Sequence, residues 1–311
     1  RIRRDRGGRL TLLAADLLPP LRPPGPEAEE TAPALSLPRP LQAPAAALCF
    51  SSPQAVCKLL TIPGGPDKVL ETNFAELLGL PDNAGFRCGH RIVDGESRTE
   101  AQVLAVGVPE RQVAWVAGLL AKGGPAPWSA ELAGLAAMSS YLAGPGAAAG
   151  PRCDLVVDGG ASTTTMAIFF RTSLVFVRSF GLGSDILARQ VMRDLNVDEA
   201  TAREVLDVGS IDVRASVRTA YENPLRQLAI AMEFAERRSG QRLQKVFLSG
   251  GMAHNNDWRR ELQAVTGLAP ETWNPWEGMV VAPGAVAERA GRPGVCFAAA
   301  AGAALDTLLE P

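Results

Sequence analysis

The sequence predicts an α/β protein of two domains, in which mixed sheets are covered by helices. Its length supports two domains, because 311 residues exceed what one hydrophobic core usually holds. In the second half, three strand patterns come first and helix patterns then alternate with strands, which is typical of a mixed sheet. Two of these apolar strands end in glycine-bearing turns, at Gly159-Gly160 and Gly250-Gly251. These turns are the main candidates for a functional site.

Composition and charge exclude several classes of function. The chain has 31 basic and 33 acidic residues, and a net charge of -2 gives no long-range field that would recruit nucleic acid or an anionic membrane. The five cysteines are widely spaced and predict reduced thiols in a cytosolic protein, and neither Cys nor His shows a metal-ligand spacing. No run of about 18 apolar residues predicts a membrane span, and no secretory signal is present. His254 is interpreted as a surface loop residue, with a catalytic role as the alternative.

The first half is predicted to form strands and helices around a proline-rich loop. The chain begins at Arg1 without a methionine, and residues 1–13 predict a strand, a hairpin turn and a second strand, so we expect a further strand before Arg1. Nine prolines predict a loop over 19–44. The remaining strands are predicted over 45–50, 57–62, 86–93 and 102–108, and the helices over 67–78, 109–121 and 130–142.

The second half has more regular patterns. A run of small residues at 144–150 predicts a boundary between a domain over 1–143 and a domain over 151–311. Strands are predicted over 154–158, 163–170, 174–180, 245–248 and 272–273, and helices over 184–195, 198–206, 211–238, 256–266 and 295–309.

The first glycine-bearing turn follows a buried strand and contains Asp158. Its small residues expose N–H groups and hydroxyls that can surround phosphate oxygens, while the carboxylate faces a hydrated Mg²⁺. The alternative is an ordinary Asp-Gly-Gly hairpin turn. In the second turn, Gly250 and Gly251 allow a flat ring to approach the backbone. Two such turns separated by a hairpin and long helices favour one shared ligand site.

The segments around both turns resemble the superfamily of actin, sugar kinases and Hsp70 chaperone ATPases, and within it the PilM-like proteins of type IV pilus assembly. Residues 158–165 resemble its second phosphate loop, with the usual pattern Asp, apolar residue, Gly, Ser or Ala, Ser, Thr, Thr. Residues 248–251 resemble its adenosine loop, 273–276 its following strand, and 297–305 its final helix at the hinge. The resemblance is good over 150–310 and looser over 45–143. It implies an actin-like (ribonuclease H-like) fold of two lobes, with an inserted subdomain over about 67–93 like that of FtsA.

The resemblance also implies ATP and Mg as cofactors. Asp158 would bind Mg through water, and Glu131, at the start of the helix that links the lobes, would position a water molecule. Met252 stands where a small residue is usual and would narrow the base site. Arg226 and Glu233 lie on the long helix that would flank the ribose and base, and the alternative for both is a solvated helix face. The alternative for Glu131 is a helix start stabilised by the macrodipole. The implied nucleotide-binding residues are Asp158, Gly159, Gly160, Ala161, Ser162, Thr163, Arg226, Gly250, Gly251 and Met252.

The function that the resemblance implies is a cytoplasmic scaffold of the type IV pilus inner-membrane platform, which binds nucleotide but hydrolyses it slowly or not at all. Its partner would be the N-terminal cytoplasmic tail of a PilN-like bitopic membrane protein, bound in the lobe that contains Leu59, Leu60, Ile62 and Val69. The protein would be peripheral at the inner membrane through that partner, bind no nucleic acid, and have homo-oligomerisation as an open question.

Two alternative functions remain open at this point. One is an active ATPase or small-molecule kinase of the same superfamily, which needs a catalytic carboxylate base that the first half does not obviously supply. The other is a GspL-like cytoplasmic domain of a type II secretion system that has lost nucleotide, which a reading frame continuing past Pro311 into a membrane span would favour.

Overall fold

The computed structural model describes residues 1–21, 32–69, 71–81, 85–94, 99–120, 124–147, 150–287 and 294–309. Its strands are β1 (Ile2–Arg4), β2 (Leu10–Leu12), β3 (Ala45–Phe50), β4 (Val56–Pro63), β5 (Phe86–Asp94), β6 (Glu100–Pro109), β7 (Ala126–Leu132), β8 (Cys153–Gly159), β9 (Thr164–Phe170), β10 (Ser173–Phe180), β11 (Lys245–Ser249), β12 (Glu271–Thr272) and β13 (Val280–Val281). Its α-helices are α1 (Pro66–Val69), α2 (Phe74–Leu78), α3 (Glu110–Gly118), α4 (Ala133–Ala143), α5 (Ser184–Leu195), α6 (Glu199–Val208), α7 (Arg214–Ser239), α8 (Asn256–Thr266) and α9 (Ala298–Leu309).

The largest sheet has the strand order β10-β9-β8-β11-β12. Strands β8, β9 and β10 form an antiparallel meander, whereas β11 runs parallel to both β8 and β12. Every residue of β8 is buried, as expected for a central strand covered on both faces. Leu155 and Val157 contribute to the core under α5, α7 and α8, and Val156 to the core on the opposite face. The predicted α/β class, with mixed sheets flanked by helices, is confirmed.

Helices α4 and α9 cover the second face of this sheet and pack closely on each other. A Cβ atom on Gly302 would lie only 1.6 Å from the carbonyl oxygen of Ala136, so a glycine is required where the two backbones meet. Tyr141 of α4 is completely buried, and its hydroxyl donates a hydrogen bond to Asp154 at 2.5 Å. These contacts fix both helices against β8.

A separate antiparallel sheet, β4-β6-β5, carries the two short helices α1 and α2. The single helix predicted over 67–78 is therefore wrong, because Asn73 adopts an extended conformation that starts α2 afresh. On the other face of the sheet, Leu59 and Val106 pack into the core that contains Val177 of β10. This unit spans 56–109, wider than the insertion predicted over 67–93. The predicted division into lobes at 1–143 and 151–311 stays a prediction.

Strand β7 was not expected from the sequence. It pairs in parallel with β3, and Leu132 keeps an extended conformation, so the helix predicted over 130–142 begins only at Ala133. Pairing with β3 satisfies the backbone groups of this segment and overrides the helix preference of Ala130 and Glu131. Glu131 is consequently a strand residue, and the interpretation of it as a helix-start residue is wrong.

The hairpin predicted at the beginning of the chain is confirmed as β1 and β2, and β13 adds to it in parallel. Of the loop predicted over 19–44, residues 22–31 lie outside the described residues. The described part contains a single-turn 3₁₀ helix, Arg39–Leu41, in agreement with the proline content. Among the helices of the described residues, none is both long and apolar enough to cross a membrane.

Candidate functional site

The two glycine-bearing turns meet directly at one edge of the main sheet. Strands β8 and β11 are parallel neighbours in which Asp158 is opposite Ser249, so the turns that follow them emerge together. The Ser249 hydroxyl donates to Asp158 Oδ1 at 2.7 Å. Gly250 has φ of +79°, and a Cβ atom there would lie 2.3 Å from the carbonyl oxygen of Gly159. The two turns therefore lie together, as one shared ligand site requires, whereas the expected cleft between two lobes stays a prediction.

Asp158 is buried, with 7% of its surface exposed. Burial raises the pKa of its carboxyl from 3.8 to about 6, and the hydrogen bond from Ser249 only partly opposes this effect. One oxygen of the carboxyl group is thereby held by the neighbouring turn. The expected role of Asp158 toward the water shell of Mg²⁺ stays a prediction.

Cys49 of β3 lies within electrostatic range of both predicted carboxylates. Its pKa is raised to about 12, chiefly by burial and further by the charges of Asp158 and Glu131. Glu131 is the strand partner of Cys49 and accepts a hydrogen bond from Ser129 at 3.3 Å. The structure thus gathers Glu131 and Asp158 around a thiol that the sequence had marked only as a core residue. In the sequence, the position of this thiol was indicated only by the apolar character of β3 and by the Ser-Ser-Pro turn that follows it.

Several backbone groups of the first turn already form hydrogen bonds within the protein. The N–H of Gly160 donates to Thr163, while the carbonyls of Gly160 and Ala161 accept from Ser184 and Asp185 at the start of α5. Among the contacts of the described residues, the N–H groups of Ala161 and Ser162 have no partner. These two groups are suited to bind one anionic oxygen atom.

Met252 packs beneath the two turns. It is 3% exposed, and its sulfur accepts a hydrogen bond from the hydroxyl of Tyr221 at 3.0 Å. A Cβ atom on Gly159 would lie 2.9 Å from Met252 Cβ. Met252 therefore packs against Gly159, and it also lines the small cavity beside the second turn. Its expected narrowing of a base site stays a prediction.

The space beside the second turn is small. A cavity of about 40 Å³ lies between this turn, the start of α5 and the end of α6. That volume holds about one water molecule, whereas ligand pockets usually measure about 300–1,000 Å³. A larger cavity of about 250 Å³ lies at the other end of the strands, beside Arg171 and Thr172, and cannot serve these turns. The small cavity is lined by Ser184, Leu187, Leu206, Asp207, Gly251, Met252, His254 and Asn255.

The remaining predicted residue, Arg226, lies on the exposed side of α7. Its guanidinium donates to Asn223 of the same helix at 3.2 Å, and Glu233 is exposed as well. A role for Arg226 in ligand binding stays a prediction. Among the described residues, no group of three or more His, Cys, Asp or Glu side chains could hold a metal ion.

Taken together, these residues do not fit an enclosed nucleotide with its Mg²⁺. The first turn offers two N–H groups to an anion, but Asp158 is turned inward and held by Ser249. The cavity beside the second turn holds about one water molecule.

Comparison with known proteins identifies the family. The family model described as "Type IV pilus assembly protein PilM" matches residues 130–308. Among solved structures, a PilM-PilN type IV pilus biogenesis complex is similar with a TM-score of 0.67 and 23% identity, over 83% of this chain and 77% of that one.

Two further solved structures are less similar. The ethanolamine utilization protein EutJ from Carboxydothermus hydrogenoformans has a TM-score of 0.40 and 16% identity, over 63% of this chain and 60% of that one. MreB 5 of Spiroplasma citri bound to AMPPNP has a TM-score of 0.41 and 14% identity, over 63% of both chains. No curated protein sequence matches. The chain has an actin-like fold and belongs to the PilM family of type IV pilus assembly proteins.

Proposed function

We propose that this chain is a scaffold of the type IV pilus inner-membrane platform, which holds a partner peptide and does not turn over nucleotide. The observation that carries this proposal is the contact between the two turns. Asp158 is bonded to Ser249, Met252 fills the space under Gly159, and a cavity of only about 40 Å³ remains. Phosphoryl transfer depends on exposed groups that position phosphates, Mg²⁺ and a nucleophile. A site closed in this way is poorly suited to that chemistry.

The proposed partner is the N-terminal cytoplasmic tail of a PilN-like membrane protein. The similar solved structure is, by its title, a PilM-PilN complex, which supports this choice. Peripheral attachment to the inner membrane through that partner follows from the same proposal. The alternative of an active kinase or ATPase requires a catalytic carboxylate, for which the sequence offers Glu131, a partly exposed residue of β7. That role of Glu131 stays a prediction.

The surface that we assign to this tail is the free edge of β5. Among the described strands, β5 pairs only with β6, and residues 87–92 are all exposed. An exposed edge strand offers unpaired N–H and C=O groups, and an extended peptide can add to it as a new strand. Ile92 is 42% exposed and supplies an apolar contact there.

The apolar residues first expected in this lobe do not form the surface. Ile62 is 4% exposed and Val69 is 1% exposed, and both belong to the core of the β4-β6-β5 sheet. Leu59 and Leu60 are partly buried and pack against that core and its neighbour. Their role is to hold the sheet together beneath the edge strand.

Recovery of the partner from the native membrane fraction tests the proposal. The protein, immobilised and incubated with detergent-solubilised membranes, should retain the PilN-like protein equally with and without ATP. Hydrolysis measured in parallel should stay far below the ~10 s⁻¹ that is typical of enzymes. Absence of the PilN-like protein together with steady hydrolysis near that rate would reject the scaffold and favour the ATPase or kinase.

A further inference from the structure

The N-terminal hairpin concentrates positive charge that the net charge of the chain conceals. Residues 1–9 contain five of the 31 basic residues and one of the 33 acidic residues. The local charge is therefore +4, while the rest of the chain carries -6. Because charges interact over a Debye length of only about 8 Å in physiological salt, a surface in contact with the hairpin responds to the local charge.

The turn of the hairpin is held by hydrogen bonds, and its arginine side chains differ in whether they bond to the rest of the described structure. Asp5 Oδ1 accepts from the N–H groups of Gly7 at 2.9 Å and of Arg9 at 3.0 Å, which fixes the turn. Arg4 donates to the carbonyl of Leu308 at the end of α9 and so has a structural role. The side chains of Arg3, Arg6 and Arg9 are different, since within the described part of the chain they have no hydrogen bond or ion pair.

An exposed aliphatic side chain lies beside one of these arginines. Strand β13 pairs with β2, and the register aligns Arg3, Thr11 and Val280 across the three strands. Residues aligned in this way share one face of the sheet, with about 5 Å between neighbouring strands. Val280 is 37% exposed on this face, whereas Val281 is aligned with the buried Leu12 and lies on the opposite face. The face therefore places the guanidinium group of Arg3 beside an apolar side chain.

We propose that this face contacts anionic lipid headgroups directly, in addition to any attachment through a partner. Guanidinium groups bind phosphate, and Val280 can enter the boundary between headgroups and acyl chains. Clusters of four to eight basic residues beside a membrane are typical of anionic-lipid binding. Residues 1–14 contain no aromatic side chain on which bases could stack, which disfavours single-stranded nucleic acid as the occupant.

Cosedimentation with vesicles tests this proposal. The purified protein should sediment with vesicles of phosphatidylcholine and phosphatidylglycerol, remain in solution with phosphatidylcholine alone, and dissociate as salt is raised. Replacing Arg3, Arg6 or Arg9 by Ser should weaken partitioning about five-fold each, and about 100-fold together, because each basic residue contributes ~1 kcal/mol at an anionic surface.

The matched control is the triple replacement of Arg189, Arg237 and Arg238 by Ser, which removes the same charge from exposed helix positions. It should leave partitioning nearly unchanged. Equal losses in both triple variants, no dependence on phosphatidylglycerol, or tighter binding to polyuridylate than to the vesicles would overturn the proposal. Binding of the tail peptide to the hairpin variants should be unchanged, so this test is independent of the proposed partner.

Discussion

Gly159 and Met252 form a pair whose volumes complement each other, and this pairing can be measured. Met252 is 3% exposed and contacts both Tyr221 and the backbone of the first turn. Met252→Ala should cost about 3 kcal/mol, because a buried methionine that is shortened to alanine leaves a cavity. Gly159→Val should cost about 1–3 kcal/mol, since its Cβ would lie 2.9 Å from Met252 Cβ and the core would be overpacked.

The two changes made together should cost less than their sum. The methyl groups of a valine at position 159 can occupy the space vacated by Cγ and the sulfur of Met252, although the Cβ atom that alanine keeps still lies 2.9 Å from the new Cβ, so we expect a coupling energy of about 1–2 kcal/mol. Urea unfolding followed by circular dichroism, with the slope compared among all four proteins, gives the required free energies. Costs that add to within ~0.5 kcal/mol would show that the two positions are independent and would refute the volume exchange.

Three further predictions concern the carboxyl group, the nucleotide and the helix crossing. The raised pKa of Asp158 means that its contribution to stability is present below about pH 4 and is lost as the pH rises through about 6. The Asp158→Asn side chain can still accept the hydrogen bond from Ser249. The free energy of unfolding of this variant relative to wild type, measured with urea, should therefore be ~2 kcal/mol higher at pH 8 than at pH 4. A stability difference between variant and wild type that does not change with pH would contradict the burial of Asp158. Calorimetric titration with ATP and Mg²⁺ should show no saturation below ~1 mM, since the cavity cannot enclose a base, and a micromolar Kd would contradict the closed site. Gly302→Ala should lower stability by more than ~3 kcal/mol through collision with Ala136, whereas the control Gly89→Ala, which meets no atom within 4 Å in the described structure, should have little effect.

The second half of the chain was largely predictable because its elements have local signals at both ends. Helix α8 spans Asn256–Thr266, as the sequence predicts, with the Asn255 side chain accepting from Trp258 N–H and Gly267 ending the helix at φ of +72°. The juxtaposition of the two turns was expected because one ligand would have to contact both, and its structural cause is the parallel pairing of β8 with β11.

The errors arose where distant segments decide the local structure. Strand β7 contains Pro127 and helix-forming residues, and it is extended because β3, about eighty residues earlier, pairs with it. The burial of Asp158 and the position of Met252 depend on what packs around each turn, which the turn sequence does not encode.

The most direct test of the scaffold is a fluorescence anisotropy titration with the labelled N-terminal tail of the PilN-like protein. The wild type should bind the peptide with a micromolar or lower Kd, and ATP with Mg²⁺ should not change it. Ile92→Glu on the β5 edge should weaken binding at least ~10-fold, because it places a charge in an apolar contact. The matched control Ile230→Glu, at an isoleucine 60% exposed on α7, should bind as the wild type does. No saturable binding of the tail by the wild type, or equal losses in both variants, would contradict the account.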